Sequence, residues 1–261
     1  MNKVLTGRRA LVTGGGQGLG RVFAQALADA GAGLVICGRR AEVLAQAAAE
    51  LRGGGAQVLD LPCDVTRPEQ IAALKDAAGP IDILVNNAGY SIRRNSWLEV
   101  TLAEWREVTG INIDAPFLMA QAFAPGMVER GWGRIVNVSS IYGTVAANPG
   151  HYPGMLADNA SYMTSKHAII GLTKHLAAAL GGTGVNVNVI SPGLFPGLSR
   201  RDRSDGNTRA STAMDLLQQA TPLHRFGVAE DLREAIVLLA GPGSAFMTGQ
   251  NLVIDGGFGI W

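Results

Sequence analysis

Short apolar runs alternate with longer segments of helical periodicity along almost the whole chain. The apolar runs predict buried strands at 10–13, 34–37, 57–61, 81–85, 133–140, 186–190 and 251–254. Intervening segments such as 22–30 and 102–130 place apolar residues on one helical face and predict helices. Because strands and helices alternate without a break in composition, the pattern predicts a single α/β domain, a doubly wound parallel sheet with helices on both faces.

Both patterns fail over one long polar segment, from residue 194 to about residue 214. Its middle, from Arg200 to Asn207, consists mainly of charged and small polar residues. A break of this length inside a compact domain is typical of a functional lid, so we predict a substrate lid here. We interpret its arginines as solvated lid surface, with an anion site as the alternative.

Composition and charge narrow the classes of partner and compartment. The chain has 261 residues, of which 47% are hydrophobic, and a net charge of +1. This is enough for one large core and gives no reason to expect nucleic acid or an acidic membrane as a partner. No apolar run is long enough to cross a bilayer, and residues 1–9 lack the apolar block of a secretory signal. The two cysteines, Cys37 and Cys63, predict free thiols in a reducing cytoplasm.

A glycine-rich turn follows the first predicted strand. The strand ends at Thr13, and Gly14, Gly18 and Gly20 lie in the turn that opens the first helix. Gly14 permits the tight turn, while Gly18 and Gly20 let the backbone approach a pyrophosphate and let the helix pack on the strand. The positive end of the helix would then face the phosphates. We predict a dinucleotide site of the Rossmann type, with a plain strand-to-helix turn as the alternative.

Two arginines follow the second predicted strand, in the turn Gly38-Arg39-Arg40. An NAD site usually has an acidic residue here on the ribose 2′-hydroxyl, and Gly38 supplies none. Arg39 and Arg40 are suited to a 2′-phosphate, so NADP(H) is favoured, with NAD(H) and solvated arginines as the alternative. Asp64, at the end of the third strand, is predicted either to accept a hydrogen bond from the adenine amino group or to cap a helix near Thr66.

Small and amide side chains mark the end of the fourth strand and the helical segment after it. Asn86 and Asn87 are suited to tie loops together, whereas Ala88 and Gly89 leave room for a ribose. Asn112 lies among apolar residues in the middle of the following helical segment. A buried asparagine needs hydrogen-bond partners. We interpret Asn112 either as a satisfied core residue or as a site residue whose carbonyl holds water.

The strongest candidate for chemistry is the pair Tyr162 and Lys166. The two residues are four positions apart, and the apolar pattern that continues to Leu180 predicts a helix, so they lie on one face. A phenol ordinarily loses its proton near pH ~10. A neighbouring ammonium stabilises the phenolate and lowers that pKa toward the range of a general acid or base.

Taken together, these motifs resemble the short-chain dehydrogenase/reductase family, and the resemblance covers nearly the whole chain. The motifs occur in the family's order: Thr13-Gly14-x-x-x-Gly18-x-Gly20, Asn86-Asn87-Ala88-Gly89, Asn112, Ser140, Tyr162-x-x-x-Lys166 and Pro192-Gly193. Each motif is modest alone, but the set is specific.

The resemblance implies a catalytic group of four residues. Tyr162 is expected to exchange a proton with the substrate oxygen, and Lys166 to lower the tyrosine pKa and bind the nicotinamide ribose. Ser140 is expected to hydrogen-bond the carbonyl or alkoxide, in preference to its neighbour Ser139. Asn112 is expected to hold a water that connects Lys166 to solvent.

The resemblance also implies the cofactor contacts and the assembly. The expected contacts of NADP(H) are Gly14, Gln17, Gly18, Leu19, Gly20, Arg39, Arg40, Asp64, Val65, Asn87, Ala88, Gly89, Tyr162, Lys166, Pro192 and Gly193. No metal is expected. A homotetramer is expected, with the tail that ends at Trp261 packed at a subunit interface or bordering a pocket.

One departure from the family concerns the spacing between Ser140 and Tyr162, which is longer than usual. The additional residues fall within 147–159 and predict a loop beside the active site. Tyr152 in this loop cannot replace Tyr162, because no lysine follows it at the fourth position. We interpret His151 as an exposed, inert loop residue, with a contact to a polar substrate as the alternative.

The resemblance is closest to family members that act on gluconate-like sugar acids and polyols. The predicted reaction is hydride transfer between nicotinamide and a secondary alcohol or ketone, with a sugar acid, a polyol or a small ketone as the substrate. A 3-oxoacyl-thioester reductase shares all of these motifs and is the first alternative. A non-catalytic nucleotide-binding scaffold is the second, although such proteins typically lack the tyrosine or the lysine.

Overall fold

A computed structural model describes residues 3–92, 94, 96–148, 160–198 and 208–260 of the chain. Its strands are β1 (Arg9–Thr13), β2 (Gly33–Gly38), β3 (Val58–Pro62), β4 (Ile83–Asn86), β5 (Gly133–Val138), β6 (Val185–Pro192) and β7 (Asn251–Ile254). Its helices are α1 (Gly18–Asp29), α2 (Ala41–Gly53), α3 (Pro68–Ala78), α4 (Leu102–Thr109), α5 (Ala115–Glu129), α6 (Ala160–Ala179), α7 (Thr208–Ala220) and α8 (Ala229–Ala240).

The seven strands form one parallel sheet in the order β3-β2-β1-β4-β5-β6-β7. The chain therefore runs outward from β1 to β3, then returns and continues from β4 to β7 on the other side. The crevice between β1 and β4 is the topological switch point, and ligands of such sheets bind at the carboxyl ends of the strands there. The predicted doubly wound α/β fold is confirmed.

Two separate hydrophobic cores lie on the two faces of this sheet, because successive side chains of a strand point in opposite directions. Val12 belongs to the core that includes Phe23 of α1 and Ile236 of α8. Its neighbour Leu11 belongs to the other core, which includes Met119 of α5. Strands buried on both faces account for the nearly continuous apolar runs in the sequence.

The long helical segment predicted at 102–130 is interrupted by a π-helical turn, Gly110–Asp114, between α4 and α5. Pro116 supplies the physical reason, since it has no N–H to donate to the carbonyl of Asn112 four residues earlier. Within the described residues, no helix is long and apolar enough to cross a membrane.

The two predicted irregular segments are described only in part. Residues 149–159 of the predicted loop, with His151 and Tyr152, lie outside the described residues, as do residues 199–207 of the predicted lid. The expectation of irregular chain up to about residue 214 is corrected by α7, which already begins at Thr208. Met214 and Leu217, three positions apart on α7, join a small apolar cluster and stabilise the helix there.

Candidate active site

The glycine turn and the end of β4 are joined by hydrogen bonds at the switch point. The Thr13 hydroxyl accepts hydrogen bonds from the backbone N–H groups of Asn87 (3.0 Å) and Ala88 (2.9 Å). The Asn87 side-chain amide in turn donates to the Thr13 carbonyl at 2.9 Å. These bonds hold the predicted phosphate-binding turn against the predicted ribose-binding segment.

The glycines of the turn are required by its backbone. Gly14 and Gly18 have φ values of +66° and +55°, a region that side chains rarely adopt. A Cβ atom on Gly20 would lie 2.2 Å from the carbonyl oxygen of Gly14, so α1 can approach the turn only with glycine there. The N-cap residue of α1, Gln17, makes no side-chain cap, and the first-turn amides thus remain suited to an anionic ligand.

The two arginines after β2 have different environments. Arg39 is exposed, whereas Arg40 is half-buried and donates a hydrogen bond to the side-chain carbonyl of Gln17. This bond joins the turn after β2 to the glycine turn. Arg39 is therefore the arginine whose side chain extends into solvent at this edge.

Asp64 lies near Arg39 at the end of β3, and its side chain is engaged locally. One carboxylate oxygen accepts hydrogen bonds from the Thr66 N–H at 3.0 Å and the Thr66 hydroxyl at 2.7 Å. Partial burial acts to raise the pKa of Asp64, but the Thr66 bonds and the charges of Arg39 and Arg67 outweigh it and lower that pKa. Asp64 thus closes the turn before α3, whose N-cap residue is Arg67 without a side-chain cap, so the predicted helix cap by Asp64 is wrong.

Lys166 is buried at the end of β5 beside Tyr162. Its Nζ donates to the Val138 carbonyl at 2.8 Å and lies 5.5 Å from the centre of the Tyr162 ring. Only 5% of the lysine is exposed, and this burial lowers the pKa of Lys166 to about 8. The cation is therefore held by a neutral acceptor close to a half-buried phenol.

The two serines after β5 have different partners. The Ser139 hydroxyl is buried and donates to the carbonyl of Lys166 at 2.7 Å, which ties α6 to the strand. The Ser140 hydroxyl accepts from the Tyr142 N–H at 3.2 Å and caps a 3₁₀ turn, Ile141–Gly143. Its own proton is not used in that bond, so Ser140 keeps a donor at the strand end.

Asn112 connects three parts of the site through its side chain. Its carbonyl oxygen accepts from the Tyr90 N–H at 2.8 Å, and its amide donates to the Tyr90 carbonyl at 2.9 Å and to the Ser165 hydroxyl at 2.8 Å. Ser165 donates to the carbonyl of Tyr162 at 2.7 Å. A Cβ atom on Gly89 would lie 3.6 Å from the Asn112 side-chain oxygen. Asn112 therefore positions both the segment after β4 and the helix of Tyr162.

The remaining predicted contacts lie around this edge. Gly193, after Pro192 at the end of β6, donates its N–H to the Ile254 carbonyl at 2.8 Å. Leu19 packs against the core on one face of the sheet, and Val65 is buried in the core on the other, so their side chains are occupied.

A family model described as "Enoyl-(Acyl carrier protein) reductase" matches residues 14–259 of the chain. The chain is a member of the short-chain dehydrogenase/reductase family. As a member, it is an NAD(P)-dependent oxidoreductase that acts on CH–OH groups of small molecules.

Curated relatives and solved structures of this family cover almost the same length. A galactitol 2-dehydrogenase (L-tagatose-forming) of Cereibacter sphaeroides is 38% identical over 98% of this chain and 97% of its own. A 3-oxoacyl-[acyl-carrier-protein] reductase of Vibrio cholerae is 34% identical over 97% of this chain and 98% of its own. A crystal structure of a gluconate 5-dehydrogenase from Burkholderia cenocepacia J2315, in complex with NADP and tartrate, has a TM-score of 0.88 and 34% identity, covering 100% of this chain and 98% of that one.

Within this short-chain dehydrogenase/reductase fold, the structure brings the four predicted catalytic residues to one edge. Sequence reasoning missed three groups that hold them there: the Val138 carbonyl, the Ser165 hydroxyl and the Tyr142 backbone N–H. A backbone carbonyl leaves no signal in residue types, whereas Ser165, one residue before Lys166 on a buried helix face, could have been noticed. Among the described residues, no three His, Cys, Asp or Glu side chains are grouped to hold a metal ion.

Proposed function

We propose that the protein is an NADP(H)-preferring dehydrogenase that interconverts a secondary alcohol and its ketone, with a polyol or sugar acid as the substrate. The observation that carries the proposal is the buried ammonium of Lys166, bonded to the Val138 carbonyl and 5.5 Å from the centre of the Tyr162 ring. Ser140 lies at the end of the same strand. This arrangement supports a site at the carboxyl edge that is built from a cation, a phenol and a hydroxyl donor.

The roles of these side chains follow from their chemistry. Tyr162 moves a proton to or from the substrate oxygen, because the ammonium of Lys166 favours its phenolate form. Ser140 donates a hydrogen bond to the same oxygen and stabilises the developing alkoxide. The Asn112 side chain fixes the helix of Tyr162. Its main-chain carbonyl receives no hydrogen bond from Pro116, which has no N–H, so we expect this carbonyl to hold the water that connects Lys166 to solvent.

The residues at the switch point fit a nicotinamide dinucleotide. The positive-φ glycines Gly14 and Gly18 and the uncapped start of α1 suit the pyrophosphate. Arg39 is exposed in the turn after β2 and suits the 2′-phosphate of NADP(H). When bound, the cofactor supplies or accepts the hydride at the nicotinamide ring. The alternative is NAD(H), with Arg39 solvated.

Two relatives support the substrate class. The names of the galactitol dehydrogenase and of the gluconate 5-dehydrogenase, the latter solved with NADP and tartrate, indicate polyols and sugar acids. The similarity to a 3-oxoacyl-[acyl-carrier-protein] reductase supports the alternative substrate, an acyl thioester.

Exposed apolar residues near the C-terminal end support a homotetramer. Phe246 is fully exposed and Ile260 is 74% exposed, and apolar side chains of this kind are often covered by a partner subunit. Trp261, which follows Ile260, lies outside the described residues, so its role at an interface stays a prediction. The two buried free thiols, Cys37 and Cys63, support a reducing, cytoplasmic location.

The test combines cofactor titration with a substrate screen. The purified protein is titrated with NADPH and NADH, and turnover is measured on galactitol, gluconate, a set of small ketones and an acetoacetyl thioester. We expect tighter binding of NADPH and turnover of a polyol or sugar acid. Tyr162→Phe should abolish turnover and leave NADPH affinity nearly unchanged, because the phenolic oxygen alone is removed. Retained turnover in this variant would refute the role of Tyr162, and turnover of the thioester alone would refute the substrate class.

A further inference from the structure

The side chain of Tyr142 has a buried hydroxyl with no assigned function. Tyr142 lies two residues after Ser140, and its N–H donates to the Ser140 hydroxyl at 3.2 Å. Its ring therefore starts from the same short turn that presents the serine. Within the described part of the chain, the Tyr142 hydroxyl oxygen is buried and has no hydrogen-bond partner.

The surroundings of the ring explain why no partner is present. Tyr142 packs on a small apolar cluster whose buried members are Ile141, Leu217 and Phe258, with Leu194, Met214 and Phe226 also packed against it. These residues come from the turn after Ser140, from α7 and the segment that follows it, and from the segments after β6 and β7. The Tyr142 side chain thus packs against α7, and its backbone is bonded to the serine of the site.

An unpartnered buried hydroxyl is unfavourable, because folding removes its hydrogen bonds to water without replacing them. Phenylalanine would fill the same space without this penalty. Buried polar groups without partners are uncommon in native proteins, so each one needs an explanation. For a side chain on the turn that presents Ser140, a bound ligand is the partner that we infer. A tyrosine hydroxyl can both donate and accept, which matches a substrate hydroxyl.

We propose that Tyr142 is a specificity-determining residue whose hydroxyl binds a hydroxyl group of the substrate, close to the carbon that reacts at Tyr162 and Ser140. This inference rests on the proposed function and sharpens its substrate class. A polyol or sugar acid carries a hydroxyl on the carbon next to the reacting one. The corresponding position in a 3-oxoacyl thioester is a methylene group, which would leave the Tyr142 hydroxyl unpaired and would bind less well.

The first experiment measures the stability of Tyr142→Phe without substrate. If the hydroxyl is unpartnered, its removal should raise Tm, on the order of 2–4 °C. If the Tyr142 hydroxyl instead makes a structural hydrogen bond, Tyr142→Phe should have a lower Tm than the wild type. NADPH affinity, measured by titration, should be the same in both proteins. A lower Tm for Tyr142→Phe would overturn the inference.

The second experiment compares two ketones that differ by one hydroxyl, 3-hydroxy-2-butanone and 2-butanone, in reduction by NADPH. For Tyr142→Phe we expect kcat/KM for the hydroxyketone to fall by about three- to tenfold, while that for 2-butanone changes by less than about twofold. Galactitol and gluconate are tested in the oxidative direction and should follow the hydroxyketone. An equal fall for both ketones, or no change for either, would overturn the assignment of Tyr142.

The two proposals fail in different ways. If the wild-type protein turns over none of these alcohols and ketones, the proposed function is wrong, and the Tm comparison still decides whether the Tyr142 hydroxyl is unpartnered. If the wild-type protein reduces both ketones without preference for the hydroxyketone, the proposed reaction stands and the specificity role of Tyr142 is refuted.

Discussion

Burying the Lys166 ammonium has two consequences, one for activity and one for stability, and replacing Lys166 by methionine tests both. Methionine has a similar length and no charge. Activity should fall by at least about 100-fold, because the cation that favours the Tyr162 phenolate is removed. The substitution should not lower the stability of the protein in the same way, because it removes a buried charge that destabilises the folded state.

The magnitude follows from the pKa of Lys166. Burial lowers this pKa from 10.5 to about 8, because the charged form is poorly solvated. A change of this size corresponds to about 3 kcal/mol in the free energy of unfolding. Between pH 8 and 10.5 the folded protein has released the Lys166 proton while the unfolded chain still binds it. The free energy of unfolding is therefore highest above about pH 10.5, where Lys166 is neutral in both states. It decreases as the pH falls from 10.5 to about 8, where the folded protein must bind the proton at a buried site.

The assay is urea unfolding of the wild type and of Lys166→Met at several pH values from 7 to 10.5. The free energy of unfolding of the wild type should rise by about 3 kcal/mol relative to the variant over this range. Lys174→Met is the matched control, because Lys174 is exposed on the same helix and pays no burial cost. If the Lys166→Met difference stays constant with pH, as for the control, the ammonium is not buried in the way the structure shows.

Two further predictions concern the cofactor edge. Arg39→Ala should weaken NADPH binding and leave NADH binding unchanged in parallel titrations; Arg40→Ala should weaken both, because Arg40 supports the glycine turn rather than extending into solvent. An equal effect of Arg39→Ala on both cofactors would contradict the 2′-phosphate assignment. Gly20→Ala should cost about 1–3 kcal/mol or more in urea unfolding and weaken both cofactors, because its Cβ would lie 2.2 Å from the Gly14 carbonyl. Gly53→Ala, where a Cβ meets nothing within 4 Å, should be neutral or stabilising, and equal effects of the two substitutions would refute the steric argument.

The fold was predictable because its signals are local. Strands buried on both faces read as apolar runs, and glycine-marked turns separate them from helices of clear periodicity. The π-helical turn at Gly110–Asp114 was not predicted, because the apolar periodicity continues through it. The start of α7 at Thr208 was missed because its first turns are polar and give no apolar stripe.

The site was predictable in its residue types but not in its connections. The positions of Tyr162, Lys166, Ser140 and Asn112 follow from motifs with fixed spacing. Which serine hydroxyl remains available depends on tertiary contacts, since Ser139 is used by the Lys166 carbonyl. Folding brings such partners together from distant positions in the chain, so a local sequence pattern does not predict them.

The partner of the Lys166 ammonium is the feature that best explains how one side chain can serve this chemistry. A carboxylate at the position of the Val138 carbonyl would stabilise the charged lysine and raise its pKa. It would also repel a phenolate on Tyr162 and so oppose proton release. A neutral carbonyl accepts one N–H and leaves the positive charge uncompensated, with two further N–H donors for a ribose or a water. The low pKa of the lysine and its effect on the phenol thus have one cause, a buried cation with no anion beside it among the described residues. Removing this cation by Lys166→Met should also remove its effect on the Tyr162 phenol.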